Sequence, residues 1–475
     1  MTLGDGVLQA DVIQVGRRSR LLVRVTDAAQ LAPFQGRSWR LGDEILLEGP
    51  TDAANAAALR HAIPALRPQP VGQGVSAGTG DRLGTATCGH VRAFRHHGAG
   101  VTPVFAQQSF REMDRLGRSP QNVLDDATYG CVAGGWDGPV GADADHIHDI
   151  SRLGEAVAAG FTTFTLDPGD AVRDVQSDTG TALAGTDWTT LQTDRDETLR
   201  RYSGVPVDLG RFSLTPSDED VIRAIVKYAN AVALIVRMHD RLTELATAPY
   251  EVEIAIDETA QPTSLFEHHY FAAEAARLGV RWASMAPRYI DGFEKGVEYR
   301  GDVDALAENV AGHRAVAVRN GGYKISMHSG SDKFSIYERV IAAADGRIHL
   351  KTSGTSWLCA VEVLARRAPG LFRRVHEVSS AAYREARASY QVSAAADDDH
   401  ISGIPDGDLE SLVHADGTRQ VLHVGYGAVL TASGHDGPLD GLIRDVLSDH
   451  RDEYLLILEN HIGRHLLPFS TGGAR

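Results

Sequence analysis

The chain has 475 residues, too many for one minimal domain and enough for a barrel with additional lobes. With 43% hydrophobic and 23% charged residues it has the composition of a soluble globular protein. Its net charge of −16 excludes non-specific binding to nucleic acid or to an anionic membrane surface.

An anionic substrate is not excluded, because a local cluster of Lys or Arg overrides the global field. Cys88, Cys131 and Cys359 are scattered and form neither a disulfide framework nor a CxxC knuckle, which fits a reducing cytoplasm. The first residues carry no basic n-region and no apolar h-region, so no signal peptide is expected. The apolar segment 229–236 is too short to span a bilayer.

Residues 1–70 read as a small α/β lobe, with strands at 21–25 and 44–48 and an Ala-rich helix at 51–65. A regular rhythm follows over 71–367. Strand-like runs occur near 73–79, 102–108, 140–146, 161–167, 251–258, 282–288, 323–329 and 347–353, and helix-like stretches separate nearly all of them. Eight strands alternating with helices predict a (β/α)8, TIM-like barrel.

The strand faces support this. In 323–328 Tyr323, Ile325 and Met327 point one way, and Lys324, Ser326 and His328 the other. Stretches 251–257 and 347–352 repeat the split: Glu251, Glu253 and Asp257 share one face, as do His349 and Lys351. A strand apolar on one side and polar on the other suits a barrel whose interior leads to a reaction site. About 45 polar-rich residues (171–215) separate the fourth strand from a helix beginning at Thr215-Pro-Ser-Asp218, with a hydroxyl cap and Pro at the first helical position. This insertion reads as a long loop over the active face, a lid or a passive excursion. Residues 368–475 read as a mostly helical extension, with a charged, poorly patterned stretch at 394–408.

Reactive groups in such barrels gather at the C-terminal strand ends. His146, Glu294 and His328, on three elements around one mouth, form a candidate divalent metal site, with Asp257 and Glu258 as competing ligands. Asp145 and Glu253 are the acid/base candidates, since a carboxylate facing a barrel interior takes a raised pKa. For Glu253 the structural alternative is an ion pair with Lys324. The run 78–84 satisfies neither GxxxxGK[ST] nor GxGxxG, so nucleotide binding is rejected. Arg82 within it remains a clamp for a substrate carboxylate, and Gln107 and Gln108 suit sugar hydroxyls. Lys324 completes the substrate-binding candidates.

Thr102-Pro-Val-Phe-Ala-Gln-Gln-Ser109, Gly141-Ala-Asp-Ala-Asp-His146, Phe164-Thr-Leu-Asp-Pro-Gly-Asp170, Phe293-Glu-Lys-Gly296, His328-Ser-Gly-Ser-Asp-Lys-Phe-Ser-Ile-Tyr337 and Leu350-Lys-Thr-Ser-Gly-Thr355 resemble, in order, the tagaturonate/fructuronate epimerase family of hexuronate catabolism. His423-Val-Gly-Tyr-Gly427 and Glu459-Asn-His-Ile-Gly-Arg-His465 resemble its C-terminus. The resemblance implies a cytoplasmic, divalent-metal-dependent epimerase of a 5-keto-hexonate. It implies metal binding by the residues at His146, Glu294 and His328, with Asp145 as proton acceptor and Glu253 as proton donor. Zinc, manganese, nickel and cobalt stay open, as does the oligomeric state. The expected partner is a small sugar acid, with no nucleic acid and no membrane. The epimers differ at a carbon β to the ketone, whose hydrogen the carbonyl does not acidify, so retro-aldol cleavage and re-addition is the expected route. A Schiff base on Lys324 or Lys351 is the rival route. The alternative functions are a metal-dependent aldolase or ketose isomerase on the same barrel, and a non-catalytic sugar-acid binding protein.

Overall fold

Eight short parallel strands close into a barrel: β1 (Ser76–Gly78), β2 (Thr102–Ser109), β3 (Gly141–Ile147), β4 (Thr163–Leu166), β5 (Glu251–Ile256), β6 (Ser284–Pro287), β7 (Lys324–Met327) and β8 (Ile348–Lys351). Closure is made by β8 against β1, with His349 opposite Ser76 and Lys351 opposite Gly78. The computed structural model describes residues 2–3, 8–173, 183–352, 354–395, 401–434 and 437–471.

The alternation decides which side chains go inside. Val252, Ile254, Ile256, Ile325, Met327, Ile348 and Leu350 are buried in the main apolar core together with residues of the surrounding helices. The opposite faces fill the barrel with Glu253, Lys324, Ser326, His349 and Lys351, all buried. Buried polar groups persist only when they satisfy one another. Lys324 donates to Ser76, and Ser76 is 2.8 Å from His349 Nδ1, which closes the barrel floor with a polar layer.

Helix starts follow local chemistry. The long helix Asp218–Leu245 is capped by Ser217, not by Thr215. Ser217 accepts from the Asp220 amide and Asp220 accepts from the Ser217 amide, a reciprocal box that needs an acid three residues on; Pro216 therefore stays outside the helix.

Of the insertion 171–215, residues 174–182 lie outside the described residues. The rest contains the helices Trp188–Leu191 and Arg195–Tyr202 and a hairpin of Val207–Leu209 and Phe212–Leu214. Leu191 and Tyr202 bury into the main core, and Arg201 and Tyr202 both bond to Glu274 of the helix Leu265–Arg277. This described part therefore packs on the outer helices.

The N-terminal lobe is a five-stranded antiparallel sheet followed by the helix Ala53–Ala62, which Asp52 caps. The C-terminal extension is continuous with the barrel. Trp357, Leu358 and Leu364 of the eighth barrel helix (Thr355–Arg367) share a core with Phe372, Tyr426, Leu455 and Leu458. The last helix (Arg451–Thr471) lies so close to Thr87–His97 that a Cβ at Gly89 would sit 2.6 Å from Leu458 Cβ. Residues 396–400, within the poorly patterned stretch, lie outside the described residues. Among the described residues no helix is long and apolar enough to cross a membrane.

Candidate active site at the barrel mouth

β3 delivers two neighbours to one place. Strand alternation puts Asp145 and His146 on opposite faces. The β3–β4 register breaks between Ala144 and Ile147, and His146 adopts φ +47°, so both side chains reach the mouth. A non-glycine residue in this left-handed region is strained, and such strain concentrates at functional sites. His146 Nδ1 lies 2.5 Å from Asp167 Oδ2, and Asp167 Oδ1 accepts the Gly169 amide. This fixes the ring and turns Nε2 away from Asp167.

β7 ends at His328. Its Nε2 is 2.7 Å from Glu253 Oε1 and its Nδ1 is 3.1 Å from Asp257 Oδ1. The His146 and His328 rings stand 4.8 Å apart at 74°. One ligand-type atom from each of His146, Asp257 and His328 falls within 4.8 Å of the other two.

Beneath them Lys351 is the hub. Its Nζ lies 2.9 Å from Asp143, 2.6 Å from Asp145, 2.7 Å from Glu253 and 2.7 Å from Thr165 Oγ1. Three buried carboxylates around one ammonium leave the interior negative before the histidines are counted, which favours cations above it. Burial works to raise the Asp145 pKa, but Lys351 and the two imidazoles outweigh it and hold it at about 2. Glu253 is likewise held low by Lys351 and the His328 hydrogen bond, against its burial. The raised values expected for these two carboxylates do not occur, because the sequence does not reveal that a cation shares their pocket. Asp143, bonded to the same ammonium, is shifted up by its burial. His146 is pushed up to about 10, its burial outweighed by Asp145 and Asp167.

A cavity of about 430 Å³ opens above this cluster. Asp145, His146, Asp257, His328 and Lys351 form its base, and Arg82, Arg111, Arg288 and Lys295 bring cations to its walls. Tyr390, Gln391 and His423 of the C-terminal extension also line it. The cover thus comes from the extension, and no described residue of the insertion 171–215 lines the cavity.

The other candidates lie elsewhere. The third residue beside the two imidazoles is Asp257, not Glu294. The Glu294 carboxylate accepts from Ser393 Oγ at 2.7 Å and Gln420 Nε2 at 2.8 Å, with Arg300 at 3.8 Å, so the extension holds it away from the pair. Glu253 does not line the cavity: His328 and Lys351 occupy one oxygen and Ser284 Oγ the other at 2.6 Å. Its ion-pair partner is Lys351 rather than Lys324, because Lys324 turns to Ser76 across the floor. Lys324 is therefore not a cavity residue. Gln107 and Gln108 are buried beneath the mouth, bonded to Asp143 and Arg118. Arg82 lines the cavity but is already paired with Glu112.

Asp167, Asp143 and Lys295 were not singled out from the sequence. Strand parity relates Asp143 to Asp145, and Asp167 directly follows β4; those were the available signals. No local pattern announces Tyr390 or Gln391, and His423 was marked only as the start of a family-like stretch; all three reach the mouth through the fold of the extension.

Residues 12–468 match the family described as UxaE, tagaturonate epimerase. The chain is 36% identical over 413 residues to the tagaturonate/fructuronate epimerase of Thermotoga maritima, covering 87% of this chain and 84% of that protein. It is similar to the native crystal structure of fructuronate-tagaturonate epimerase UxaE from Cohnella laeviribosi, with a TM-score of 0.89 and 30% identity over 98% of this chain and 95% of the other. The form of that enzyme complexed with two glycerols gives the same figures. On a match that runs through the lobe, the barrel and the extension alike, this chain belongs to the tagaturonate epimerase family and is a carbohydrate epimerase.

Proposed function

We propose that this epimerase interconverts D-tagaturonate and D-fructuronate with the help of a divalent cation held by His146, Asp257 and His328. The observation that carries the reading is the convergence of these three side chains beside Asp145 at the base of a cation-walled cavity, in a member of this family. The donor set suits the cation. His328 Nδ1 and Asp257 Oδ1 are buried 3.1 Å apart without a well-aligned hydrogen bond, and Asp167 and Glu253 each orient one imidazole from behind. A mixed imidazole and carboxylate set is compatible with zinc, manganese, nickel or cobalt. When bound, the cation supplies Lewis acidity towards the substrate ketone and its neighbouring hydroxyl.

The chain's own residues handle the protons. In this reading Asp145 accepts the proton of the hydroxyl on the epimerised carbon. The bond from that carbon to the α carbon breaks, its electron pair passing to the ketone side as an enediolate and leaving an aldehyde. The aldehyde turns, and the enediolate adds to its other face. Lys351 gives a proton to the new alkoxide and recovers one from Asp145, its neighbour at 2.6 Å, so the enzyme ends unchanged. Glu253 acts through Lys351 as its counter-charge, rather than by direct contact with substrate. The Schiff-base route is disfavoured, because three carboxylates hold Lys351 as an ammonium and Lys324 lies outside the cavity.

The test is direct. Purified protein is stripped with a chelator, reloaded in turn with zinc, manganese, nickel or cobalt, and given tagaturonate while fructuronate is followed. Activity is expected to vanish on stripping and return with at least one cation. Full activity after thorough stripping would end the metal role; no conversion with any cation would end the substrate assignment.

A further inference from the structure

Most cations on the cavity wall already face protein oxygens. Arg82 donates to Glu112 at 2.9 Å and lies 3.5 Å from the Tyr426 ring centroid. Arg111 spans both oxygens of Glu258, at 2.8 and 3.3 Å. Arg288 reaches the Thr259 carbonyl at 3.2 Å and Asp291 at 3.4 Å. Lys295 differs: among the described residues it forms no ion pair, and its Nζ donates to the Ser329 hydroxyl at 2.5 Å.

The loop that carries the ammonium is fastened at several points. The Lys295 amide donates to the Gln391 carbonyl at 2.9 Å. Buried Lys333 ties down the same loop by donating to the carbonyls of Glu294 and Val297. Ser329 directly follows His328 and adopts φ +53°, so the strained turn that ends β7 presents one residue to the proposed cation and the next to Lys295. A half-buried ammonium on a cavity wall that is not tied into an ion pair attracts an anion, and pre-positioning lowers the entropy cost of binding one.

We infer that Lys295 is the anchor for the substrate carboxylate, the role expected of Arg82 from the sequence. This rests on the tagaturonate/fructuronate reading and adds a specificity determinant to it: the enzyme selects keto-hexonates over neutral ketohexoses through this ammonium. The chemistry gives the anchor a second use. In a 5-keto-hexonate, cleavage between the α and β carbons leaves the carboxylate on the same three-carbon fragment as the aldehyde. An anchored carboxylate therefore keeps hold of the piece that must turn.

Lys295→Met and Lys295→Arg are compared with the wild type for tagaturonate kinetics, bound metal and melting temperature. Lys295→Met is expected to raise KM about tenfold or more, the loss of roughly one ion pair, with a smaller change in kcat. Metal content and melting temperature should not change, and Lys295→Arg should recover part of the KM. A Lys295→Met enzyme whose KM stays within about twofold of wild type would overturn the anchor, as would an equal KM rise in Lys295→Arg. Absence of tagaturonate turnover in the wild type would instead remove the functional reading beneath it.

Discussion

The ammonium of Lys351 lies 2.6 Å from the carboxylate of Asp145, at the meeting point of the barrel interior and the cavity. Asp145 and Lys351 both line the cavity, while Asp143 and Glu253 complete the cage below. One contact thus joins the polar filling of the barrel to the surface where chemistry takes place. Changes at Lys351 should register in both stability and turnover.

Replacing Lys351 by Met should leave three buried carboxylates without their cation. Removing one partner of a buried ionic cluster costs about 3–5 kcal/mol. Urea unfolding should show a loss of that size, accompanied by loss of turnover. A cost below about 1 kcal/mol would mean that the carboxylates are neutralised in some other way.

The metal set can be decided by composition. After reloading and desalting, Asp257→Asn should retain far less divalent cation than wild type, whereas Glu294→Gln should retain a full complement. The reverse pattern would show that Glu294 leaves Ser393 and Gln420 to join His146 and His328.

Asp167 does not face the substrate, and its effect should pass through His146. Loss of such an orienting carboxylate weakens metal affinity by about 10–100-fold. Asp167→Asn should therefore need more added cation for half-maximal activity and regain much of its rate at saturation. A rate that no cation concentration restores would give Asp167 a more direct part.

A second buried cluster fastens the extension to the loop after β7. Asp332, at φ +60°, donates its amide to His465 Nε2 at 2.9 Å and pairs with Arg419 at 3.0 Å, while His461 lies 3.3 Å from its other oxygen. Burial raises the Asp332 pKa, but Arg419, His461 and His465 outweigh it and hold it low. A depressed carboxylate stabilises the fold above its unfolded pKa of about 4, and that stability is lost as the pH falls further. Asp332→Asn should cost about 3 kcal/mol at neutral pH, and the difference from wild type should shrink in acid. Equal melting temperatures at pH 7 would refute the clamp.

The barrel was legible because strand parity is a local property. Ile325 and Met327 against Lys324 and Ser326, or Ile348 and Leu350 against His349 and Lys351, divide inside from outside without knowledge of any partner. The histidines at the ends of β3 and β7 were legible for the same reason, since a strand's C-terminal end is a place in the chain as well as in space. Glu294 was misplaced because loop direction is set by what the loop packs against, here Ser393 and Gln420, about 100 and 126 residues further on. Which cation neutralises Glu253 was also hidden. Lys324 and Lys351 have the same parity, and only the arrangement around the closed barrel turns one to Ser76 and the other to the carboxylates.

The order of residues by itself settled the eight-strand rhythm, the polar filling of the barrel, the two imidazoles at its mouth and the family. The tertiary structure alone decided that Asp257 stands beside them, that Lys351 gathers three carboxylates, and that the extension roofs the cavity and leaves Lys295 outside any ion pair among the described residues. The first group depends on periodicities a few residues long. The second depends on distances between atoms hundreds of residues apart, which closure of the barrel and packing of the last helices bring into being.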